Sequence, residues 1–106
     1  MEIQEIIDRA HQNSKNKGFW DNFESQNKGE KIALMHAELS EALEALRKPD
    51  KKDEHLPDLD PVGLEFADVV IRIADYCGAY GINLDECIEK KMAYNESRPY
   101  KHGKKF

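Results

Sequence analysis

Cysteine is scarce in this sequence. Cys77 and Cys87 are the only two, too few and too badly spaced for a zinc site or a disulfide framework. A reducing, cytoplasmic setting is expected. No apolar run approaches the roughly 20 residues of a membrane span. The start of the chain, with acidic Glu2, lacks the basic and apolar regions of a signal peptide. There is no glycine-rich phosphate loop, no HExxH, no cysteine–histidine pair in a nucleophile context and no Glu-x-x-His. Those absences remove the P-loop, zinc-protease and bundle di-iron readings. Positive charge is also in deficit: 16 Lys and Arg stand against 21 Asp and Glu, a net charge of -5. That argues against a partner as basic-surface-dependent as polymeric nucleic acid. The basic residues collect late, at Lys90, Lys91, Arg98, Lys101, Lys104 and Lys105, a distribution suited to a small anionic ligand.

The 106 residues predict one domain, 1–106, with a small core and much exposed surface, so assembly into a homodimer or homotetramer would help it. Charged residues make up 35% and mean hydropathy is -0.79, a composition that favours amphipathic helices. Helical spacing of apolar residues predicts four of them. The first spans 2–16 (Ile3, Ile6, Ile7, Ala10) and ends near Gly18. The second spans 28–47, with a stripe of Ile32, Met35, Leu39, Ala42, Leu43 and Leu46. The third spans 61–80, with Asp60 as N-cap, Pro61 in its first turn and a stripe of Val62, Phe66, Val69, Val70, Ile73, Cys77 and Tyr80. The fourth spans 84–97, capped by Asn83 with Glu86 three residues on, with Leu84, Cys87, Ile88 and Met92 facing inward. Residues 48–60 form a polar loop broken by Pro49 and Pro57, and 99–106 a basic tail. The fold expected is an all-α four-helix bundle.

Acidic spacing carries the chemistry. Glu38 and Glu41 lie three apart on the second helix; Glu65 and Asp68 lie three apart on the third. Residues at i and i+3 share a helix face. At about 100° per residue, each pair falls at or just beyond the edge of its helix's apolar stripe, and Leu34 and Ala45 share the sector of the first pair. Arg72 and Asp75 fall in the sector of the second; Arg72, four residues after Asp68, is placed to pair with it, and Asp75 reads as an outer acid or a solvated one. Side-by-side packing would bring four carboxylates together. Their mutual repulsion is best offset by a divalent ion with oxygen ligands, Mg²⁺ or Mn²⁺, and the surplus charge suits several ions shared with a phosphate-bearing substrate. On the fourth helix Lys91, Asn95 and Arg98 share a face with Tyr94 beside them, a row fit to grip phosphates. Trp20 and Phe19, in the linker after the first helix, read as core anchors or as a stacking platform for a nucleobase. The base pocket would draw on Trp20, Leu34 and His36.

These residues resemble a known family. HAELSEALEALR (36–47), EFADVVIRIAD (65–75) and KKMAYNESRPYKHGKK (90–105) are similar to the MazG-like nucleotide pyrophosphohydrolases of the all-α NTP pyrophosphatase superfamily. The shared signature is ExxE, a spacer, ExxD and a terminal K-x-x-x-N-x-x-R-P-Y-x-H-G. The resemblance spans about residues 28–105. It implies Mg²⁺-dependent hydrolysis of nucleoside triphosphates to monophosphate and pyrophosphate. It implies that Glu38, Glu41, Glu65 and Asp68 bind metal and serve catalysis, and that the Lys91, Asn95 and Arg98 region, with His102 in the same terminal segment, meets the substrate. It also implies dimers or tetramers that complete the core, with the tail reaching a neighbour's site. Two alternatives stand beside it: a relative specialised for dUTP and dUDP, and a non-catalytic helical module whose acidic face and basic tail pair between subunits.

Overall fold

A computed structural model of the chain describes all 106 residues. It is all-helical, with no strand: α1 (Ile3–Asn16), α2 (Lys28–Arg47), α3 (Pro61–Tyr80) and α4 (Leu84–Glu96), plus short 3₁₀ turns at Phe23–Ser25 and Tyr100–Gly103. The helix ends fall within about one residue of those read from spacing.

The caps follow from side-chain chemistry. Asn27 accepts from the Glu30 N–H at the start of α2, at 3.0 Å. Asp60 accepts from the Val62 N–H at 2.9 Å, with Pro61 opening α3. Asn83 accepts from the Glu86 N–H at 3.1 Å and its own amide reaches the Glu86 carboxylate at 3.4 Å. Each fills one of the donors a helix N-terminus leaves open. Gly81 closes α3 at φ 66° and donates its N–H to Cys77 O, a left-handed cap that a β-carbon would strain.

The long helix α3 is the centre of the molecule. It packs against α2 and against α1, while α4 packs chiefly on α1. Ile7, Ala74 and Cys77 form the buried core of the α1–α3 contact, surrounded by Ile3, Ile6, Ala10, Ile73 and Leu84. Cys77 thus takes the core place its spacing predicts; Cys87 is exposed. Gly78 lets α1 approach: a β-carbon there would stand 2.6 Å from His11 Cβ.

The α2–α3 contact corrects the expected facing. The half-buried or buried positions of α2 are Lys31, Leu34, Met35, Glu38, Ala42 and Ala45, one face at spacings of three and four. Ile32, Leu39, Leu43 and Leu46, assigned to the inner stripe, are exposed, as are Phe66 and Val70 of α3. On α4, Met92 and Cys87 are likewise exposed rather than inward. The physical reason is that α2 offers two candidate faces, and in the single chain its acid-bearing, small-residue face meets α3. The more apolar stripe is left over. No helix is long and apolar enough to cross a membrane.

Candidate functional site

The seam between α2 and α3 carries the acids. Glu38 of α2 and Glu65 and Asp68 of α3 each present an oxygen within 4.8 Å of the others. Glu41, one turn further along α2, stands outside this triad and is exposed, but its charge acts on Glu65. Three of the four predicted carboxylates therefore converge, and the fourth borders them.

Their electrostatics are those of concentrated negative charge that is only partly compensated. The Glu65 carboxyl is pushed above its ordinary value, first by burial, then by the charges of Glu41, Asp68 and Glu38, with a hydrogen bond to Glu38 adding to the effect. Asp68 is pushed up by burial and by Glu38, against a partial pull downward from Arg72. Partial loss of solvation disfavours the charged form, although Asp68 itself is exposed, and neighbouring like charges disfavour it further.

Arg72 is the one cation inside the cluster. Its Nε donates to Glu38 Oε1 at 2.9 Å, so it crosses to α2 instead of closing on Asp68 one turn back. From that position it still eases the charge on Asp68. The set fits a divalent cation. It offers hard oxygen donors from two helices, and the raised proton affinities of Glu65 and Asp68 mark charge that one guanidinium does not offset.

Two cavities flank the cluster. One, of about 380 Å³, is walled by Trp20, Phe19, Leu34, Ile71 and Tyr76, with Lys31, Glu38, Asp68, Arg72 and Asp75 at its polar side. Trp20 is fixed within that wall. Its indole N–H donates to Asp75 Oδ1 at 2.8 Å, an oxygen that also lies 2.9 Å from His11 Nδ1. Its ring packs edge-on against His11 and Tyr80, each at 5.7 Å, and the Lys31 ammonium sits 4.4 Å above it. Trp20 is accordingly both a buried anchor and a cavity wall. Asp75 is neither an outer acid nor a solvated one; it ties the linker to α3. Phe19 is exposed while lining the same cavity. Leu34 reaches the cavity and His36 does not.

The second cavity, of about 270 Å³, is lined almost wholly by charged residues. Glu41 and Glu65 form one side, and Lys48, Lys51, Lys52 and Asp53 of the 48–60 loop the other. Asp53 pins the loop: its Oδ1 accepts from the N–H groups of His55 (2.8 Å) and Leu56 (2.9 Å). Those bonds, that of Leu56 foremost, hold its carboxyl below the usual range.

The fourth-helix row lies elsewhere. Lys91 and Arg98 sit over the Tyr94 ring at 5.3 and 5.6 Å, and neither they nor Asn95 line either cavity. His102 is exposed in the tail, at φ 53°. The expected approach of Lys91, Tyr94, Asn95, Arg98 and His102 to the acids does not occur within one chain, because α4 is docked on α1 while the acids lie between α2 and α3.

Spacing held two further cations that the motif reading passed over. Lys31 precedes Glu38 by seven residues and Lys48 follows Glu41 by seven, two turns along the same face in each case. Compared with protein-family models, with curated proteins and with solved structures, the chain matches none.

Proposed function

We propose that the chain is a metal-dependent nucleoside triphosphate pyrophosphohydrolase, a hydrolase of phosphoric anhydrides similar to the MazG-like enzymes. The observation that carries this reading is the convergence of Glu38, Glu65 and Asp68, with Glu65 and Asp68 both short of counter-charge. Two cavities on its flanks support it. One has an aromatic wall, suited to a base, beside its charged residues; the other is lined by lysines and acids, suited to metal-bound phosphates.

Glu38, Glu65 and Asp68 would hold Mg²⁺ or Mn²⁺, with Glu41 beside them. When bound, such an ion supplies Lewis-acid polarisation of phosphoryl oxygens and a more acidic water. The remaining steps fall to the chain. With an ion held by these acids, the α-phosphorus would lie at the seam. A water oxygen bonds to that phosphorus as the bond to the bridging oxygen breaks, and pyrophosphate departs with the electron pair. Glu41, which makes no ion pair, takes the proton of the water. Trp20 and Leu34 flank the base.

We further read the exposed stripe of α2 and α3 as the contact with a second copy, in a homodimer or homotetramer of the all-α NTP pyrophosphatase type. Only five of 106 residues are buried in the single chain, far fewer than a self-sufficient domain of this size would bury. Such an assembly gives the Lys91–Asn95–Arg98 row a route to a neighbour's acids.

The test is pyrophosphate release from a panel of canonical, deoxy, uracil-containing and oxidised nucleoside triphosphates, and phosphate release from dUDP, with Mg²⁺ and with a chelator. At least one triphosphate is cleaved with Mg²⁺ only, and Asp68→Asn loses about 100-fold or more of the rate. Release confined to uracil nucleotides, with dUDP also cleaved, selects the dUTP-specialised relative. No release from any of them, together with no Mg²⁺ binding by calorimetry, selects the non-catalytic module.

A further inference from the structure

The phosphates need a grip that α4 does not provide within the chain, and the 48–60 loop brings three lysines to the cavity beside the acid seam. Lys48, Lys51 and Lys52 line one cavity together with Glu41 and Glu65. Lys48 is paired with Glu44 at 2.9 Å. Lys51 and Lys52 make no ion pair, although Glu41, Asp53, Glu54 and Glu65 share the cavity with them. The loop that carries them is turned and held, by Lys51 N–H to Lys48 O at 3.1 Å and by the two bonds to Asp53. Opposite, across the acids, stands the aromatic cavity with Trp20 and Leu34. The cluster therefore has a direction: a side with an aromatic wall, the carboxylates, then a side with the loop lysines.

We propose that Lys51 and Lys52, with Lys48 behind them, form the subsite for the terminal diphosphate of the substrate, so that a nucleoside triphosphate lies with its base toward Trp20 and its β- and γ-phosphates in the loop cavity. This rests on the hydrolase reading, and extends it by fixing the substrate's orientation and by assigning the loop a task. The chemistry asks for such a group. When the bond between the α-phosphorus and its bridging oxygen breaks, the electron pair stays on the departing pyrophosphate, and ammonium groups free to turn to it offset that charge as it develops. Without them the leaving group would face only the carboxylates of that cavity, Glu41, Glu44, Asp53, Glu54 and Glu65.

Inorganic pyrophosphate is the direct probe, because it is the proposed occupant and needs no knowledge of the base. Calorimetry with excess Mg²⁺ is run on the full chain, on Lys51→Gln/Lys52→Gln, on Lys51→Arg/Lys52→Arg and on Lys91→Gln/Arg98→Gln. The glutamine pair weakens pyrophosphate binding by about tenfold or more, the arginine pair retains it within about threefold, and the thermal midpoint stays put because both lysines are exposed. Unchanged affinity in the glutamine pair, or loss confined to the Lys91→Gln/Arg98→Gln variant, overturns the loop subsite. So does a full chain that binds no pyrophosphate. The two readings fail separately. Nucleotide hydrolysis with pyrophosphate binding indifferent to Lys51 and Lys52 removes only the subsite, whereas lysine-dependent pyrophosphate binding without any nucleotide hydrolysis removes only the hydrolase.

Discussion

Glu65 and Asp68 hold protons more tightly than ordinary carboxyls because burial and their acidic neighbours penalise the charge. A raised folded-state value means that the folded chain binds more protons than the unfolded one from the ordinary carboxyl values, 4.5 for Glu and 3.8 for Asp, up to the raised ones. Stability from these groups is therefore full below that window and lost as pH rises through it. Metal-free protein should lose stability toward neutral pH relative to the Glu65→Gln/Asp68→Asn variant, and saturating Mg²⁺ should reverse the loss in the native chain alone. Thermal unfolding across about pH 4 to 7.5 with a chelator checks the sign; a native chain that gains on the variant as pH rises would contradict it. Part of this cluster was legible in the sequence. The i, i+3 spacing put each pair of acids on one face, and two helices in succession did so. The partner of Arg72 was not legible, since spacing along one helix favours Asp68 and only the α2–α3 crossing brings Glu38 within 2.9 Å. Asp75 was opaque for the same reason: its partners His11 and Trp20 are 64 and 55 residues away.

At the scale of the elements, apolar periodicity and caps specify where helices begin and end, because those signals are local. Asn27, Asp60 and Asn83 each accept a bond from within the next three residues. Which face packs is a question between helices. On α2 the apolar stripe and the acid-bearing face compete for α3, and the seam of Leu34, Glu38, Ala42 and Ala45 wins in the single chain. Gly78 shows the same limit. Within its own helix it looks like a weak point, since glycine costs about 1 kcal/mol against alanine. Across the α1–α3 contact it is the space that His11 needs, with Cβ and Cγ of that residue 2.6 and 2.9 Å from a would-be β-carbon. Gly78→Ala should thus destabilise the fold by about 1–3 kcal/mol despite its better helix propensity, because His11 Cβ can retreat only if α1 moves. Urea unfolding measures it, and a Gly78→Ala variant as stable as the parent would show that α1 is loosely held. The 48–60 loop was legible as a polar connection. Its order was not, although Asp53 two residues before His55 carries the turn-forming chemistry.

For the whole molecule, the radius of gyration is 16.4 Å, against about 13 Å for a compact domain of 100 residues. The chain is open, and it leaves Ile32, Leu39, Leu43, Leu46, Phe66 and Val70 in solvent. The proposed assembly would close that face. Sedimentation should find a dimer or tetramer at micromolar concentration, and Leu43→Glu/Phe66→Glu should shift it toward monomer with helicity largely kept. A native chain that sediments as a monomer would leave the α4 row without a route to any acid cluster. The shortness of the chain and the family resemblance suggested an association of this kind, but a single sequence does not show which surface a second copy covers.

The central claim is attack at the α-phosphorus held by the α2–α3 acids, and hydrolysis in ¹⁸O-water tests it most directly. With Mg²⁺ present and the best triphosphate of the release panel as substrate, mass spectrometry should find the label in the nucleoside monophosphate and none in the pyrophosphate. Label in the pyrophosphate alone, or in free phosphate split from the γ-position, would contradict the account.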